Sequence, residues 1–401
     1  MFTIKKKLQI IFLILVSSGV CYPQFLDNFD KEKIEGWFFF TGDGNAKMDF
    51  LQREGYAAIL VDGTKDRDNV YWTLIKRDVT APLDLNKFKD PSYQLRVEAK
   101  VRLHNAPRRV NMMVNTQRTT NFHIDLMEFD IPDTTGWHVI SMTTKKFDCV
   151  PGDTVYVQLC VTDYGLDKYY VDLDYYRADI VNVNTAGPDK GELVPYHPPI
   201  PNVNTFSKHL DVTQDCLINS VFPGINFNDW YIKEEDGDKK ILTVNANQWA
   251  ILRWDFEQYK NAKVDEAALL ELTTYSVYNG GNFIEAYGQD FGEEFGKVRV
   301  IEILGGDPEW DQNTVTYNNF IKDKIYPDVF NTQMVYDVEL SEEKGGKNFI
   351  TISKPVLQRM LDGKTNGLLI RPLGAIEASF YASEDITGDN TPKLHFKIVK
   401  Q

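Results

Sequence analysis

The sequence predicts an all-β protein made of two β-sandwich (jelly-roll) domains joined by a proline-rich linker. Short segments alternate between apolar and polar residues, which is the period of a strand with one buried face. Aromatic residues make up 13% of the 401 residues, and such side chains pack well on pleated sheets. A proline-rich run ends at Pro201. We expect domains at 25–183 and 210–401, a linker at 184–209, and a signal peptide at 1–24.

The clearest alternation runs from Tyr93 to Leu126, as three consecutive strands. Between Gln94 and Leu103 every odd position is apolar and every even position is polar or charged. The same pattern predicts the core-facing residues of the next two strands, which are Val110, Met112, Val114, Phe122, Ile124 and Leu126. The opposite face of this region gathers many hydrogen-bond donors with a basic bias, so it is either a ligand groove or an ordinary solvated face.

Other segments of the first domain also have strand character. They are Ala57–Val61, Val70–Lys76, Trp137–Thr143, Thr154–Thr162 and Tyr169–Val181. Turn signals such as Asp62-Gly63 separate them, and successive strands with no helix between them favour a sandwich. In the second domain, Lys354–Leu361 is predicted to be a short covering helix with Val356, Leu357, Met360 and Leu361 on one face.

Charge excludes one class of partner. The formal net charge is −14, and by count residues 25–185 contribute 20 − 25 = −5 and residues 186–401 contribute 21 − 33 = −12. Nucleic-acid binding requires clustered Lys and Arg to neutralise phosphates. We therefore expect no nucleic-acid partner.

The N-terminus predicts secretion. Lys5, Lys6 and Lys7 precede a short apolar run from Ile10 to Val16, which is the pattern of a secretory signal peptide. The run is too short to span a bilayer, and no later segment approaches that length. We expect an extracellular or periplasmic protein. Lipid anchoring at Cys21 is not expected, because Ser18-Gly19-Val20 before it is a poor lipobox.

Three cysteines follow the leader: Cys149, Cys160 and Cys216. Cys149 and Cys160 flank the turn at Pro151-Gly152 and could face each other across a hairpin. A disulfide between them fits an oxidising compartment. Two buried free thiols fit the pattern equally well, and no Cys–His spacing typical of a metal site occurs.

Part of the first domain resembles secreted jelly-roll modules. The resemblance rests on Phe25 to Phe29, Gly36-Trp37 and Gly42 to Gly44, and on a last strand, Tyr169 to Tyr176, similar to the closing strand of many carbohydrate-binding jelly rolls. In such modules an acidic residue near this strand helps to hold a structural Ca²⁺, which implies a role for Asp172 or Asp174. The alternative is a pair of solvent-facing acids.

The second domain resembles the secreted β-sandwich module called the DNRLRE domain, which is related to alginate-type carbohydrate-binding modules. The segments that carry the resemblance are Asp215 to Ser220, Phe222 to Phe227, Ala250 to Phe256, Ala268 to Leu272, Trp310, Thr314 to Asn319, Gly367 to Ile370, Tyr381 to Glu384, and Thr391 to Leu394. It implies a jelly roll appended to polysaccharide-degrading enzymes or cell-surface proteins. It does not imply catalysis in this half.

The hairpin around residue 120 suggests a chemistry. It places amide, guanidinium and imidazole groups close together, and this set suits β-elimination from a uronic acid, where a neutralised carboxylate makes the C5 proton removable by a base. The predicted catalytic residues are His123, Arg118, Asn121, Tyr169 and Tyr170. The predicted substrate-binding residues are Arg96, Lys100, Arg102, Asn115 and Gln117. The hairpin also resembles those of secreted proteins of ulvan breakdown.

Two functions follow as alternatives. The first is a secreted lyase or dehydratase that acts on an anionic uronic-acid polysaccharide or its oligosaccharides, monomeric and without a catalytic cofactor. The second is a non-catalytic glycan-binding protein with two carbohydrate-binding modules. A cluster of His, Tyr and Arg in one groove would favour catalysis, whereas exposed aromatic platforms would favour binding.

Overall fold

The architecture is that of a computed structural model, which describes residues 24–41, 45–66, 73–104, 108–118, 122–131, 136–162, 166–189, 202–228, 231–232, 239–279, 296–331, 336–374, 376–385 and 388–399. Residues 1–23 of the predicted signal peptide, Cys21 among them, lie outside the described residues, as do residues 190–201 of the predicted linker. The domain boundaries and secretion therefore stay predictions. Among the described residues, no helix is both long and apolar enough to span a bilayer.

The described strands of the first half are β1 (Phe25–Asp27), β2 (Trp37–Phe40), β3 (Lys47–Arg53), β4 (Tyr56–Asp62), β5 (Thr73–Asp78), β6 (Tyr93–His104), β7 (Arg108–Gln117), β8 (Phe122–Ile131), β9 (His138–Thr143), β10 (Thr154–Thr162) and β11 (Lys168–Asn182). They form two antiparallel sheets. Sheet A has the order β3-β4-β11-β6-β9 with β1 paired to β11, and sheet B has the order β2-β5-β10-β7-β8.

The described strands of the second half are β12 (Lys208–Asp211), β13 (Gln214–Asn219), β14 (Tyr231–Ile232), β15 (Lys239–Val244), β16 (Gln248–Arg253), β17 (Ala268–Asn279), β18 (Lys297–Glu302), β19 (Tyr336–Glu339), β20 (Lys347–Ile352), β21 (Leu368–Leu373), β22 (Ile376–Tyr381) and β23 (Lys393–Phe396). Sheet C has the order β12-β23-β17-β22-β15-β14 with β20 paired to β17. Sheet D has the order β13-β16-β21-β18-β19.

The helices are few and short. Three α-helices are described, α1 (Tyr317–Ile321), α2 (Tyr326–Val329) and α3 (Lys354–Leu361). Single 3₁₀ turns occupy Leu85–Lys89, Val203–Thr205 and Glu257–Tyr259. Helix α3 confirms the predicted covering helix, because Val356, Leu357, Met360 and Leu361 are all buried.

Both halves repeat one topology. Sheet A places β4-β11-β6-β9 side by side and sheet B places β5-β10-β7-β8 side by side, so that the chain crosses between the sheets in jelly-roll order. The same order recurs as β15-β22-β17-β20 in sheet C and β16-β21-β18-β19 in sheet D. The predicted all-β fold with two β-sandwiches is confirmed.

The core of the first sandwich lies between sheets A and B. The odd positions of β6 from Leu95 to Leu103 are buried there, together with Val110, Met112 and Val114 of β7, as the alternation predicts. The prediction for β8 was wrong. Gln117 pairs with Phe122, so Ile124 lies opposite Asn115 and Leu126 lies opposite Met113, and both are exposed. Phe129 and Met127 pack on the core instead.

The second sandwich has two hydrophobic layers. One lies between sheets C and D and includes Leu217, Leu252, Leu270 and Phe380. The other lies on the outer face of sheet D, where the chain between β18 and β19 packs Trp310 and Phe320 against that sheet. Much of this outer face is therefore covered by α1, α2 and their flanking loops.

Candidate functional site

The predicted basic face is the outer surface of sheet A, and acidic partners neutralise it. The Nη2 of Arg102 lies 2.6 Å from Oδ2 of Asp172, and Nζ of Lys100 lies 2.7 Å from Oδ2 of Asp174. The Nε of Arg96 lies 2.8 Å from Oδ1 of Asp189. A surface that pairs its own cations offers little net positive charge to an anionic polymer.

Asp172 is the residue for which a calcium-binding role was predicted. Its Oδ2 accepts hydrogen bonds from Nε and Nη2 of Arg102 and lies 2.9 Å from Nε2 of His104. A cation would share this carboxylate with a guanidinium, which repels it. Among the described residues, no group of three or more His, Cys, Asp or Glu side chains is placed to hold a metal ion. Structural calcium stays a prediction.

The predicted catalytic tyrosines lie on opposite sides of sheet A. Tyr169 is buried in the core between the sheets. The ring of Tyr170 is on the outer surface and stacks on His104, with centroids 3.9 Å apart and an interplanar angle of 18°. Successive residues of a strand point to opposite faces, so one glycan cannot contact both side chains.

Of the other predicted catalytic residues, Arg118 lies at one end of sheet B. The Nη2 of Arg118 is 2.6 Å from Oδ1 of Asp148, and its Nε is 2.8 Å from Oδ2 of Asp153. The hydrogen bonds that Arg118 donates to these carboxylates, first of all to Asp148, raise the pKa of Arg118 above its ordinary value. Asn121 lies outside the described residues, as does the side chain of His123, whose backbone pairs with Thr116.

The expectation of a single groove needs correction. Arg96, Lys100 and Arg102 lie on the outer surface of sheet A, whereas Asn115 and Gln117 lie on the outer surface of sheet B. The hydrophobic core separates these two surfaces. β6 and β7 follow one another in sequence but enter different sheets, and local alternation does not show this. Whether the chain has lyase activity stays a prediction.

The outer surface of sheet B is chemically different, and we call it the amide face. Strand pairing places its residues in rows across the sheet. The rows are Phe40, Leu74, Cys160 and Asn111; then Phe38, Lys76, Gln158, Met113 and Leu126; then Asp78, Tyr156, Asn115 and Ile124. The row from Phe38 to Leu126 crosses all five strands, and at a spacing of about 4.8 Å between strands it is roughly 19 Å long.

The amide face has exposed apolar margins and a shielded centre. On β2, Phe38 is 65% exposed and Phe40 46%, and on β8, Ile124 is 42% exposed and Leu126 40%. Between these margins Leu74, Met113 and Cys160 form a small buried cluster of their own, separate from the sandwich core. Exposed aromatic side chains on a strand are the groups expected to contact a ligand.

Two amide atoms at the centre of this face lack described hydrogen-bond partners. The side chain of Gln158 donates to Oδ1 of Asn115. The Nδ2 of Asn115 and Oδ1 of Asn111 are buried and form no hydrogen bond. An unpaired polar group inside a protein costs about 1–3 kcal/mol, so its presence requires an explanation, and a site for a ligand or a bound water supplies one.

Lys76 is the cation of this face whose side chain the structure describes. Nζ of Lys76 lies 4.0 Å from the centroid of the Tyr156 ring. Burial lowers the pKa of Lys76 from its ordinary value, and no described carboxylate lies within ion-pair distance of it. Both side chains are only partly buried. Sequence analysis missed Phe38, Phe40, Lys76 and Tyr156, although the aromatic run Trp37 to Phe40 was a visible signal.

The buried cysteines do not form a disulfide. Cys149, Cys160 and Cys216 are all free thiols. Burial raises the pKa of each to about 12, so none is a reactive thiolate at neutral pH. Of the two alternatives left by the sequence, the structure has the buried free thiols.

No family model matches this sequence, and no curated protein matches it. Several solved structures are similar to parts of this chain at low sequence identity and low TM-score. The CBM22-1 xylan-binding domain of Xyn10C from Paenibacillus barcinonensis is 15% identical over 40% of this chain and 96% of that one, with a TM-score of 0.30. The tandem CBM22-1–CBM22-2 domains of the same protein are 13% identical over 94% of this chain and 96% of theirs, with a TM-score of 0.30.

A CBM61 module in complex with β-1,4-galactotriose is 10% identical over 38% of this chain and 94% of that one, with a TM-score of 0.26. At these identities and TM-scores the likeness supports no inference about the ligand of this chain. The resemblance to DNRLRE modules and to proteins of ulvan breakdown stays a prediction.

Proposed function

We propose that this protein binds a polysaccharide without cleaving it, through the amide face of its first sandwich. The observation that supports this most is the combination on one surface of exposed Phe38 and Phe40 with amides that lack protein partners. Ligand sites for sugars need apolar surface for the ring and a few oriented polar groups for the hydroxyls. The amide face supplies both.

Each part of the face has a chemical task in this proposal. The rings of Phe38 and Phe40 pack against the C–H surface of a pyranose. Carbohydrate hydroxyls both donate and accept, so they can satisfy the side-chain amides of Asn111 and Asn115. The ammonium of Lys76, which has no described ion-pair partner, would bind a carboxylate or sulfate of an acidic sugar.

Glycan binding is preferred to lyase activity because the residues predicted to act as acid and base lie far apart in the fold. Tyr169 is inside the core, Tyr170 is on the outer surface of sheet A, and Arg118 is held by Asp148 and Asp153. General-base catalysis needs such groups within hydrogen-bond reach of one substrate atom. On the amide face itself, the described residues offer Lys76, Tyr156 and, at the end of β5, Asp78 as candidate bases.

Affinity measurement with variants tests the proposal. Xylan, galactan, polygalacturonate and ulvan should be titrated into the wild type, the double variant F38A/F40A, and Lys76→Gln. Loss of two aromatic contacts at about 0.5–1.5 kcal/mol each should weaken binding of every ligand by roughly tenfold. Lys76→Gln should weaken only the acidic glycans, and more at low salt.

The matched control is Leu51→Ala. Leu51 is an exposed apolar residue on the outer surface of sheet A, and its loss should leave affinity unchanged. Unchanged binding by F38A/F40A would refute the proposal. Ultraviolet absorbance from a new C4–C5 double bond in a mixture of wild type and uronic polysaccharide would instead favour the lyase.

A further inference from the structure

Arg371, on the outer face of sheet D, has no acidic partner among the described side chains. Arg371 of β21 donates from Nη1 to Oη of Tyr326, 3.0 Å away, and its Nε is buried without a hydrogen bond. No described carboxylate lies within ion-pair distance of it. By contrast, Arg359 in the same half holds Oε2 of Glu302 at 2.6 Å. An unbalanced guanidinium is unusual in a half-chain whose counted net charge is −12.

Aromatic rings hold this guanidinium in place. The Cζ of Arg371 is 5.4 Å from the centroid of the Trp249 ring and 5.7 Å from that of the Tyr326 ring. Trp249 in turn contacts the rings of Tyr317 and Phe330, both with centroids 6.1 Å away. Cation–π contact fixes the orientation of an arginine but leaves its in-plane N–H groups able to donate.

An exposed apolar loop lies beside this cluster. Val221 is 56% exposed and Phe222 55%. The loop is attached to α1, because the backbone N–H of Asn318 donates to the carbonyl of Pro223, 2.9 Å away. It also lies next to the strand of Trp249, because Ser220 donates to the carbonyl of Asn247. The loop is thus connected to α1 and to β16, which carry Tyr317 and Trp249 of the aromatic cluster around Arg371.

We infer that this surface of the second sandwich is a site for an acidic sugar, with Arg371 as its anion-binding residue. The planar guanidinium matches the geometry of a carboxylate or a sulfate ester and can bind either through two parallel hydrogen bonds. The sugar ring packs on the apolar surface of Phe222 and its aromatic neighbours. This site is separate from the amide face and does not depend on it.

Titration with short saccharides tests the inference. The probes are trigalacturonate, which carries carboxylates, sulfated galactotriose, and neutral galactotriose. Wild type should bind at least one acidic probe more tightly than the neutral probe. Arg371→Gln should weaken that acidic probe by at least about tenfold, the size expected for a lost charge-assisted hydrogen-bond pair. The affinity of Arg371→Gln for neutral galactotriose should lie within about twofold of the wild-type affinity.

Two further variants complete the design. Arg371→Lys keeps the charge and should weaken binding by a smaller factor, because an ammonium cannot form the paired hydrogen bonds. This variant also decides the outcome if Arg371→Gln does not fold. Lys364→Gln removes an exposed cation elsewhere in the same half and should change nothing.

Equal affinity of wild type and both Arg371 variants for the acidic probes would overturn the inference. So would a change in sedimentation without a change in affinity, which would assign the patch to contact between copies of the chain. The variant F38A/F40A separates the two sites. If F38A/F40A loses binding while the Arg371 variants do not, the amide-face proposal is supported and the Arg371 site is refuted. If the Arg371 variants lose binding while F38A/F40A does not, the Arg371 site is supported and the amide-face proposal is refuted.

Discussion

Arg102 and Asp172 face each other across β6 and β11, and Nη2 of the guanidinium lies 2.6 Å from Oδ2 of the carboxylate. The Nε2 of His104 reaches the same oxygen at 2.9 Å. The carboxylate side chain is only 3% exposed. The buried carboxylate of Asp172 is a structural element of sheet A, and its pairing with Arg102 explains why this arginine is not free to bind an anion.

Replacing Asp172 by Asn should destabilise the first sandwich. The change removes the charge that balances Arg102 and leaves the guanidinium partly buried beside a neutral amide. We expect a loss of about 2–3 kcal/mol in the free energy of unfolding, measured by urea titration. Asp174→Asn is the control, because its pair with Lys100 is more exposed and should contribute less than about 1 kcal/mol. Equal effects of the two variants would contradict the prediction.

The stability of the second sandwich should depend on Asp215. Burial, together with the nearby charge of Glu384, raises the pKa of Asp215 from 3.8 to about 7. The folded state therefore holds a proton that the unfolded state has already released between pH 4 and 7. Because Asp215 ionises in the unfolded state but stays protonated in the folded state, the free energy of unfolding falls as pH rises through this range. The decrease ends above about pH 7, where Asp215 is ionised in both states.

Asp215→Asn removes this titration. The variant retains an oxygen that can accept from the backbone N–H of Ser383, which lies 2.7 Å from Oδ2 in the wild type. Its free energy of unfolding relative to wild type should rise between pH 4 and 7, by at most about 4 kcal/mol. Urea titrations at a series of pH values measure this difference. A difference that stays constant with pH would contradict the assigned pKa.

The predicted linker can be tested by limited proteolysis. The proline-rich composition of residues 184–209 predicts an extended, accessible segment, and each half has its own hydrophobic core. A protease at low concentration should cut there first and release two stable pieces. First cleavage within β6 or β7 would contradict the two-domain organisation, because those strands are paired on both sides.

Local patterns in the sequence were sufficient to predict much of the fold. The segment Thr154–Thr162 is strand β10, and Lys354–Leu361 is α3, because each has one uniform period and one apolar face. Strand β8 was predicted with its faces reversed. Both of its faces carry apolar residues, and the pairing of Gln117 with Phe122 decided which face met the core. A shift of one residue in pairing inverts every side chain, and the sequence pattern did not determine that pairing.

The candidate site was less predictable than the fold. Asn115 was identified from the sequence, but its partners on the amide face come from β2, β5 and β10, which are distant in the chain. Lys100 and Arg102 of β6 looked available for a ligand because their acidic partners, Asp174 and Asp172, lie in β11, about 70 positions later. Pairing between distant strands, and not local alternation, decided which charges were free.

Hydrogen–deuterium exchange of the full chain, with and without the polysaccharide of highest affinity, tests the central claim most directly. Strands β2 and β8 are the edges of sheet B and flank the amide face, whereas β3 and β9 are the corresponding edges of sheet A. Ligand binding should slow amide exchange in β2 and β8 and leave β3 and β9 unchanged. Slower exchange only in β3 and β9, or no change in the first sandwich at all, would contradict glycan binding at the amide face.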